Sequence, residues 1–297
     1  MGVWFKMVIV YTSKPFDGLF YYSYEYSRYL NIPLIIIPYP GFTESDYKKS
    51  IESKYTIYKD VYYDFTPMNE SVIILGRSIL THAYLNKHKY THDQLLTLHL
   101  LFSNKLISVY SENHPIEYEK ALEYFKPSSV IDLCDRDVYP NGIGQHFEKR
   151  INFSIYKEPI KNIQFEYLYL GTNKTYYETV EQVLPTVPGT YSILTCNGKF
   201  VNKNLNNIFA PVQNLLGLFN TYVYTKSIFD PAPRLIQECM YFDKKIIYNR
   251  DKSICDGGSV YYRREIKEPY FDLWCVEFRI WRTQGRILRS LRSLHVN

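Results

Sequence analysis

The chain has 297 residues, 46% apolar and 22% charged, proportions of a soluble globular protein long enough for two domains. No apolar run approaches the roughly 20 residues a membrane span needs. No leader with a cleavage site is visible, and five scattered cysteines form no zinc or disulfide pattern, so a cytoplasmic protein with free thiols is expected. The whole net charge of +5 lies in the arginines after Phe278, which argues against a basic groove through an otherwise balanced body.

Val8–Tyr11 is a short apolar run that suits a buried parallel strand. The polar loop Thr12–Phe16 closes on Asp17-Gly18, and Leu19–Leu30 continues in helical rhythm. Asp17 can cap that helix, and Gly18 can let a ligand approach the backbone; a ligand loop and an ordinary cap are both open. Leu34–Ile37 is a second strand, and the polar stretch Gly41–Lys54 holds a short helix with Thr43 or Ser45 as its cap. Val72–Gly76 is the next strand, followed by helices near 78–87 and 92–102. Leu106–Tyr110 is a strand that ends at Ser111–Pro115, Ile116–Phe125 a helix, and Val130–Leu133 a strand. This alternation predicts βαβ units and a mostly parallel sheet.

Residues 135–158 read as a loop and then a strand or two, and a domain boundary is expected at Glu158-Pro159. The alternation then restarts. Tyr167–Leu170 is a strand ending at Gly171–Thr175, Tyr176–Leu184 a helix, and Tyr191–Thr195 a strand. Val212–Leu218 reads as a short helix. Tyr222–Tyr224 is then a strand, Asp230–Pro233 a proline-containing loop, Arg234–Tyr241 a helix and Lys245–Tyr248 a strand. Arg234 and Glu238 stand four residues apart and share a helix face. The expected domains are 1–158 and 159–270, with 271–297 a basic helix.

Residues 230–248 resemble the donor-sugar segment of glycosyltransferases with the GT-B fold. Pro233 matches the family's loop, Glu238 its helix glutamate, Asp243-Lys244-Lys245 its polar pair, and Ile246–Tyr248 its strand. The departures are the missing glycine-rich start, replaced by Asp230–Arg234, and the absent proline after the lysine. The resemblance implies an α/β protein of two Rossmann-like domains facing across a cleft, with a C-terminal helix crossing back to the first domain. It implies an enzyme that moves a sugar from a nucleoside diphosphate sugar, a UDP-sugar first, to a hydroxyl acceptor. No tightly bound cofactor and no metal are expected, the nucleotide sugar being a co-substrate.

The same resemblance assigns roles. Glu238 would hold the ribose, since a carboxylate can accept from two vicinal hydroxyls at about 1.5–3 kcal/mol per bond to a charged group, or would be an exposed helix carboxylate paired to a Lys or Arg. Lys174, in the loop after the first strand of the second domain, and Arg234 would meet the diphosphate. Gly18 and Asp17 occupy the place of the small-residue loop under the sugar phosphates. An inverting reaction would draw its base from Asp17 or His114, with Glu112 and Asp135–Asp137 on neighbouring loops; a retaining one would need no strong base. His82, His88, His92 and His99 fall on helices without carboxylates at metal spacing, and surface or packing roles are expected for them. Asp256–Ser259 fits a sugar-contacting loop or an ordinary turn.

Arg279, Arg282, Arg286, Arg289 and Arg292 step by three and four residues, which would place them on one helix face. Such a stripe suits phosphates of nucleic acid, an anionic membrane surface, or plain solvent. The 31 tyrosines and 17 phenylalanines, with abundant Ile, Asn and Lys, fit an AT-rich genome. Some phages glycosylate hydroxymethylated bases of their own DNA with enzymes of this fold, so a phage DNA acceptor in the host cytoplasm is one expectation. Saccharide, lipid-linked and protein acceptors, and a non-catalytic nucleic-acid-binding protein, are the alternatives.

Overall fold

The computed structural model describes residues 7–64, 70–110, 117–134, 145–146, 151, 153–171, 180, 189–195, 207–209, 214–224 and 234–248. It divides into two units. Of the described residues, the first contains those up to Ile51 and from Ile57 to Ser154, and the second contains Glu52–Thr56 and those from Ile155 to Tyr248. A contiguous first domain ending at 158 was expected; five residues in the middle of that span belong instead to the second unit.

The first unit is built on seven parallel strands in the order β3-β2-β1-β4-β5-β6-β7. They are β1 (Met7–Tyr11), β2 (Leu34–Ile36), β3 (Val61–Tyr62), β4 (Ser71–Ile74), β5 (Lys105–Tyr110), β6 (Ser129–Cys134) and β7 (Gln145–His146). Val8 to Tyr11 and Leu34 to Ile36 are fully buried, because a sheet covered on both faces leaves no solvent side to a central strand. The register Ile9↔Leu34 on one side of β1 and Val8↔Val72 on the other fixes it between β2 and β4.

Five helices accompany these strands: α1 (Gly18–Leu30), α2 (Glu44–Lys54), α3 (Arg77–Leu85), α4 (His92–Phe102) and α5 (Glu117–Phe125). Asp17 caps α1, its Oδ1 accepting from Leu19 N at 2.8 Å, and Asn31 in the left-handed region (φ 54°) ends it. Leu19 to Ser27 are all buried, so α1 is enclosed on every side rather than amphipathic. Thr91 and Gln94 form a reciprocal capping box at the start of α4.

Part of the aromatic richness goes into this core, where Tyr11, Tyr22, Tyr24 and Tyr47 are each under 2% exposed. Buried phenols need partners for their hydroxyls. Tyr24 donates to the carbonyl of Ile57, and Tyr47 to that of Ser13 at 2.7 Å.

The second unit carries five parallel strands in the order β10-β9-β8-β11-β12. These are β8 (Phe165–Leu170), β9 (Tyr191–Thr195), β10 (Asn207–Phe209), β11 (Phe219–Tyr224) and β12 (Lys245–Tyr248), with α6 (Arg234–Tyr241) between the last two. Ile236 and Cys239 of α6 pack with Phe165, Leu168, Phe219 and Tyr222 on one face of the sheet. Tyr169, Val180, Ile193 and Val223 form a smaller cluster of their own. Leu215–Gly217 is a single 3-10 turn rather than the short helix expected over 212–218. Tyr55 makes an isolated antiparallel bridge to Tyr156, which ties the 52–56 segment to the start of this unit.

Two all-parallel sheets in Rossmann-like order, with α1 to α5 between strands of the first and α6 between β11 and β12 of the second, make the α/β class expected from the alternation a structural fact. The expected C-terminal helix over 271–297, with its arginine stripe, lies outside the described residues. Among the described residues no helix is long and apolar enough to cross a membrane.

Candidate functional site

Each sheet has a point where its strand order reverses. The chain leaves β1 toward β2 on one side and β4 toward β5 on the other; β8 and β11 repeat this in the second unit. In open parallel sheets ligands bind outside the carboxyl ends of the strands at such a switch point.

In the second unit α6 follows β11 and brings Arg234 and Glu238 into one buried cluster. Glu238 is 2% exposed and Arg234 7%. Three donors converge on Glu238 Oε1: Arg234 Nε at 2.7 Å, Lys54 Nζ at 2.8 Å and the Tyr156 hydroxyl at 2.8 Å. Arg234 Nη2 also donates to the hydroxyls of Tyr55, at 3.1 Å, and Tyr156. The two tyrosine rings meet edge to face with centroids 5.1 Å apart. Burial alone would raise the Glu238 carboxyl, but Lys54 and then Arg234 outweigh it, and the carboxyl stands below its ordinary value.

The spacing of four residues correctly places Arg234 and Glu238 on one face. The structure adds that they bond to each other and are enclosed, where two separate groups aimed at a ligand were expected. Lys54, Tyr55 and Tyr156 carried no signal in the sequence, because none lies near α6 along the chain. Lys174, the other expected diphosphate group, lies outside the described residues.

In the first unit the loop after β1 is held from several directions. The Tyr11 hydroxyl donates to the carbonyl of Lys14 at 2.8 Å, Thr12 Oγ1 bonds the Tyr90 hydroxyl at 2.7 Å, and Ser50 Oγ donates to the carbonyl of Pro15. Asp17 ends this loop as the α1 cap, which is the ordinary one of its two expected roles. A Cβ added to Gly18 meets nothing within 4 Å, so the space beside its backbone is open. His114, the alternative base, lies outside the described residues, as do Glu112, Asp135–Asp137 and Asp256–Ser259.

His82 comes to this loop instead. It sits on α3, which starts at the Gly76 turn beyond β4, and its Nδ1 lies 3.4 Å from Ser13 Oγ. Its ring has open surface, yet the surrounding protein displaces enough water to pull its pKa below the ordinary value, with Asp17 opposing and Lys14 adding to that shift. From the sequence His82 reads as one helix histidine among four, and only the parallel pairing of β1 with β4 brings it to Ser13. Among the described residues no group of three or more His, Cys, Asp or Glu side chains could hold a metal ion.

No family model matches the chain, and no curated protein matches it. Two solved structures are loosely similar. One is the Streptomyces sp. SF2575 glycosyltransferase SsfS6 complexed with thymidine diphosphate, 10% identical, covering 97% of this chain and 99% of that one at a TM-score of 0.40. The other is the glycotransferase of kitacinnamycin, 11% identical, covering 97% of this chain and 94% of that one at a TM-score of 0.34. At those scores the likeness carries no argument about activity, and the fold rests on the strand order itself.

Proposed function

We propose that the protein is a glycosyltransferase of the GT-B type, moving a sugar from a nucleoside diphosphate sugar to a hydroxyl acceptor. The observation that carries this reading is the pairing, in one chain, of two parallel sheets each with its own switch point. The second of these sheets bears the strand–loop–helix–strand unit that holds Arg234 and Glu238.

In this reading the second unit takes the nucleotide. The N-terminal turn of α6, which begins at Arg234, favours an anion through its backbone N–H groups and its dipole, and Lys174 would add a second cation. Glu238 would meet the ribose through Oε2, since the three bonds described above all go to Oε1. The first unit takes the acceptor, with Asp17 or His114 as the base first expected and Gly18 leaving room beside the loop. Positive charge gathered at the diphosphate would supply the main electrostatic help to its departure.

The resemblance places a UDP-sugar first among donors. For the acceptor we propose a hydroxymethylated base of phage DNA, gripped along its backbone by Arg279, Arg282, Arg286, Arg289 and Arg292. That acceptor predicts DNA binding that weakens steeply with salt and disappears when residues 279–297 are removed.

The test is thermal stabilisation by a panel of nucleoside diphosphates and their sugars. A ligand at a hundred times its Kd should stabilise by about 2.7 kcal/mol, a clear shift in Tm. No shift with any member would sink the proposal. Glu238→Gln, compared with its own unliganded Tm, should lose most of the shift; an unchanged shift would remove Glu238 from the nucleotide site.

A further inference from the structure

We propose, resting on the glycosyltransferase reading above, that His82 is the general base for the acceptor hydroxyl and that Ser13 positions it. Three placements carry this. β1 and β4 are adjacent parallel strands, in register at Met7↔Ser71, and the strand order reverses between them. Ser13 lies two residues beyond the end of β1, and His82 lies on the helix that follows β4. Both therefore stand outside the carboxyl ends of the two strands that define the switch point, the place such sheets reserve for a ligand.

The contact between them admits the needed tautomer. Ser13 Oγ can accept from Nδ1–H, and in that tautomer, the one a base requires, Nε2 carries the lone pair that takes the proton. The 3.4 Å separation is long, as catalytic hydrogen bonds often are before substrate arrives. Ser13 itself is fixed: it is 5% exposed, and its carbonyl accepts from the Tyr47 hydroxyl at 2.7 Å. The anchored partner is buried and the titrating ring is open to the surface, the arrangement a base needs.

The surrounding charges suit the task. Asp17 and Lys14, from the loop between β1 and α1, act on the ring with opposite signs, and burial lowers its pKa. On the α5 side, Tyr118 lies under Arg77 and Tyr124 against Tyr84, so those groups engage other residues of α3. Asp17 also favours the imidazolium that forms on proton transfer.

The acceptor O–H gives its proton to His82 Nε2 while its oxygen bonds the anomeric carbon. The bond from that carbon to the diphosphate oxygen breaks, and the electron pair leaves with the nucleoside diphosphate. No other co-reactant is required.

The test uses the full-length protein and the uridine diphosphate sugar that gives the largest thermal shift, with release of uridine diphosphate measured against water as acceptor. Wild-type rate should fall on an acid limb below pH 6.5, the ordinary histidine value from which His82 is displaced downward. His82→Gln should keep the thermal shift, lose the acid limb and slow by about 100-fold or more. Ser13→Ala should keep the thermal shift and displace the limb, with a smaller loss of rate. A His82→Gln enzyme with wild-type rate and acid limb would overturn the role of His82 while the retained shift left the transferase reading standing. Loss of the shift in His82→Gln would make it a binding residue and also overturn the role. No shift in the wild type would overturn both.

Discussion

Lys54 Nζ lies 2.8 Å from Glu238 Oε1, across 184 residues of chain. The pair is enclosed, with side chains 18% and 3% exposed, and Arg234 and Tyr156 complete it. Breaking such a pair by removing one partner strands a charge in a poorly solvated place, a cost of about 3–5 kcal/mol. Lys54→Met and Glu238→Gln should each lower unfolding free energy by about that amount in urea titration. Tyr156→Phe, which removes the bond donated to Glu238 and the one accepted from Arg234, should cost about 1.5–3 kcal/mol for each. Equal and negligible effects would show that the cluster adds nothing to stability.

The depressed carboxyl of Glu238 makes part of that stability pH-dependent. Because its folded pKa lies below the ordinary 4.5, its contribution is present above that value and is lost as pH falls through the folded pKa. The Tm difference between wild type and Glu238→Gln should therefore hold steady from pH 7 to 5 and narrow below about 4.5. A difference that widened with acid would reverse the sign of this linkage.

Asp17 separates two roles by a choice of substitution. Asp17→Ala removes the acceptor for Leu19 N and should cost about 1 kcal/mol of stability. Asp17→Asn keeps a capping oxygen and should fold as tightly as wild type. If Asp17 acts chemically, the Asn variant should lose turnover while its urea midpoint stays put; full turnover would confine Asp17 to the cap.

Gly217 is required by proximity. A Cβ there would stand 2.1 Å from the carbonyl oxygen of Ile160, and Asn214 clamps the same residue, its Oδ1 accepting from Ile160 N at 2.8 Å. The segment is further tied by Asn162 N donating to the Gly217 carbonyl at 2.9 Å. Gly217→Ala should destabilise by about 1–3 kcal/mol through backbone displacement. A wild-type denaturation midpoint would show that the segment shifts without cost.

The features legible along the chain are local ones. Buried parallel strands announce themselves as unbroken apolar runs, so Val8–Tyr11, Leu34–Ile36 and Val72–Ile74 were legible. The Asp17 cap and the Arg234–Glu238 spacing follow from helix geometry over a few residues. The two-residue β3 and the three-residue β10 were not legible, and β7 only as a strand somewhere within 135–158, because so short a strand leaves no periodicity to detect. Tertiary structure alone decided that Lys54 and Tyr156 complete the charge of Glu238, and that His82 meets Ser13. The first follows the Tyr55–Tyr156 bridge, which ties residues 52–56 to the second unit; the second follows the pairing of two strands distant in sequence, β1 and β4. Side chains at the ends of such strands converge through the strand order, and no pattern within a window of residues encodes that order.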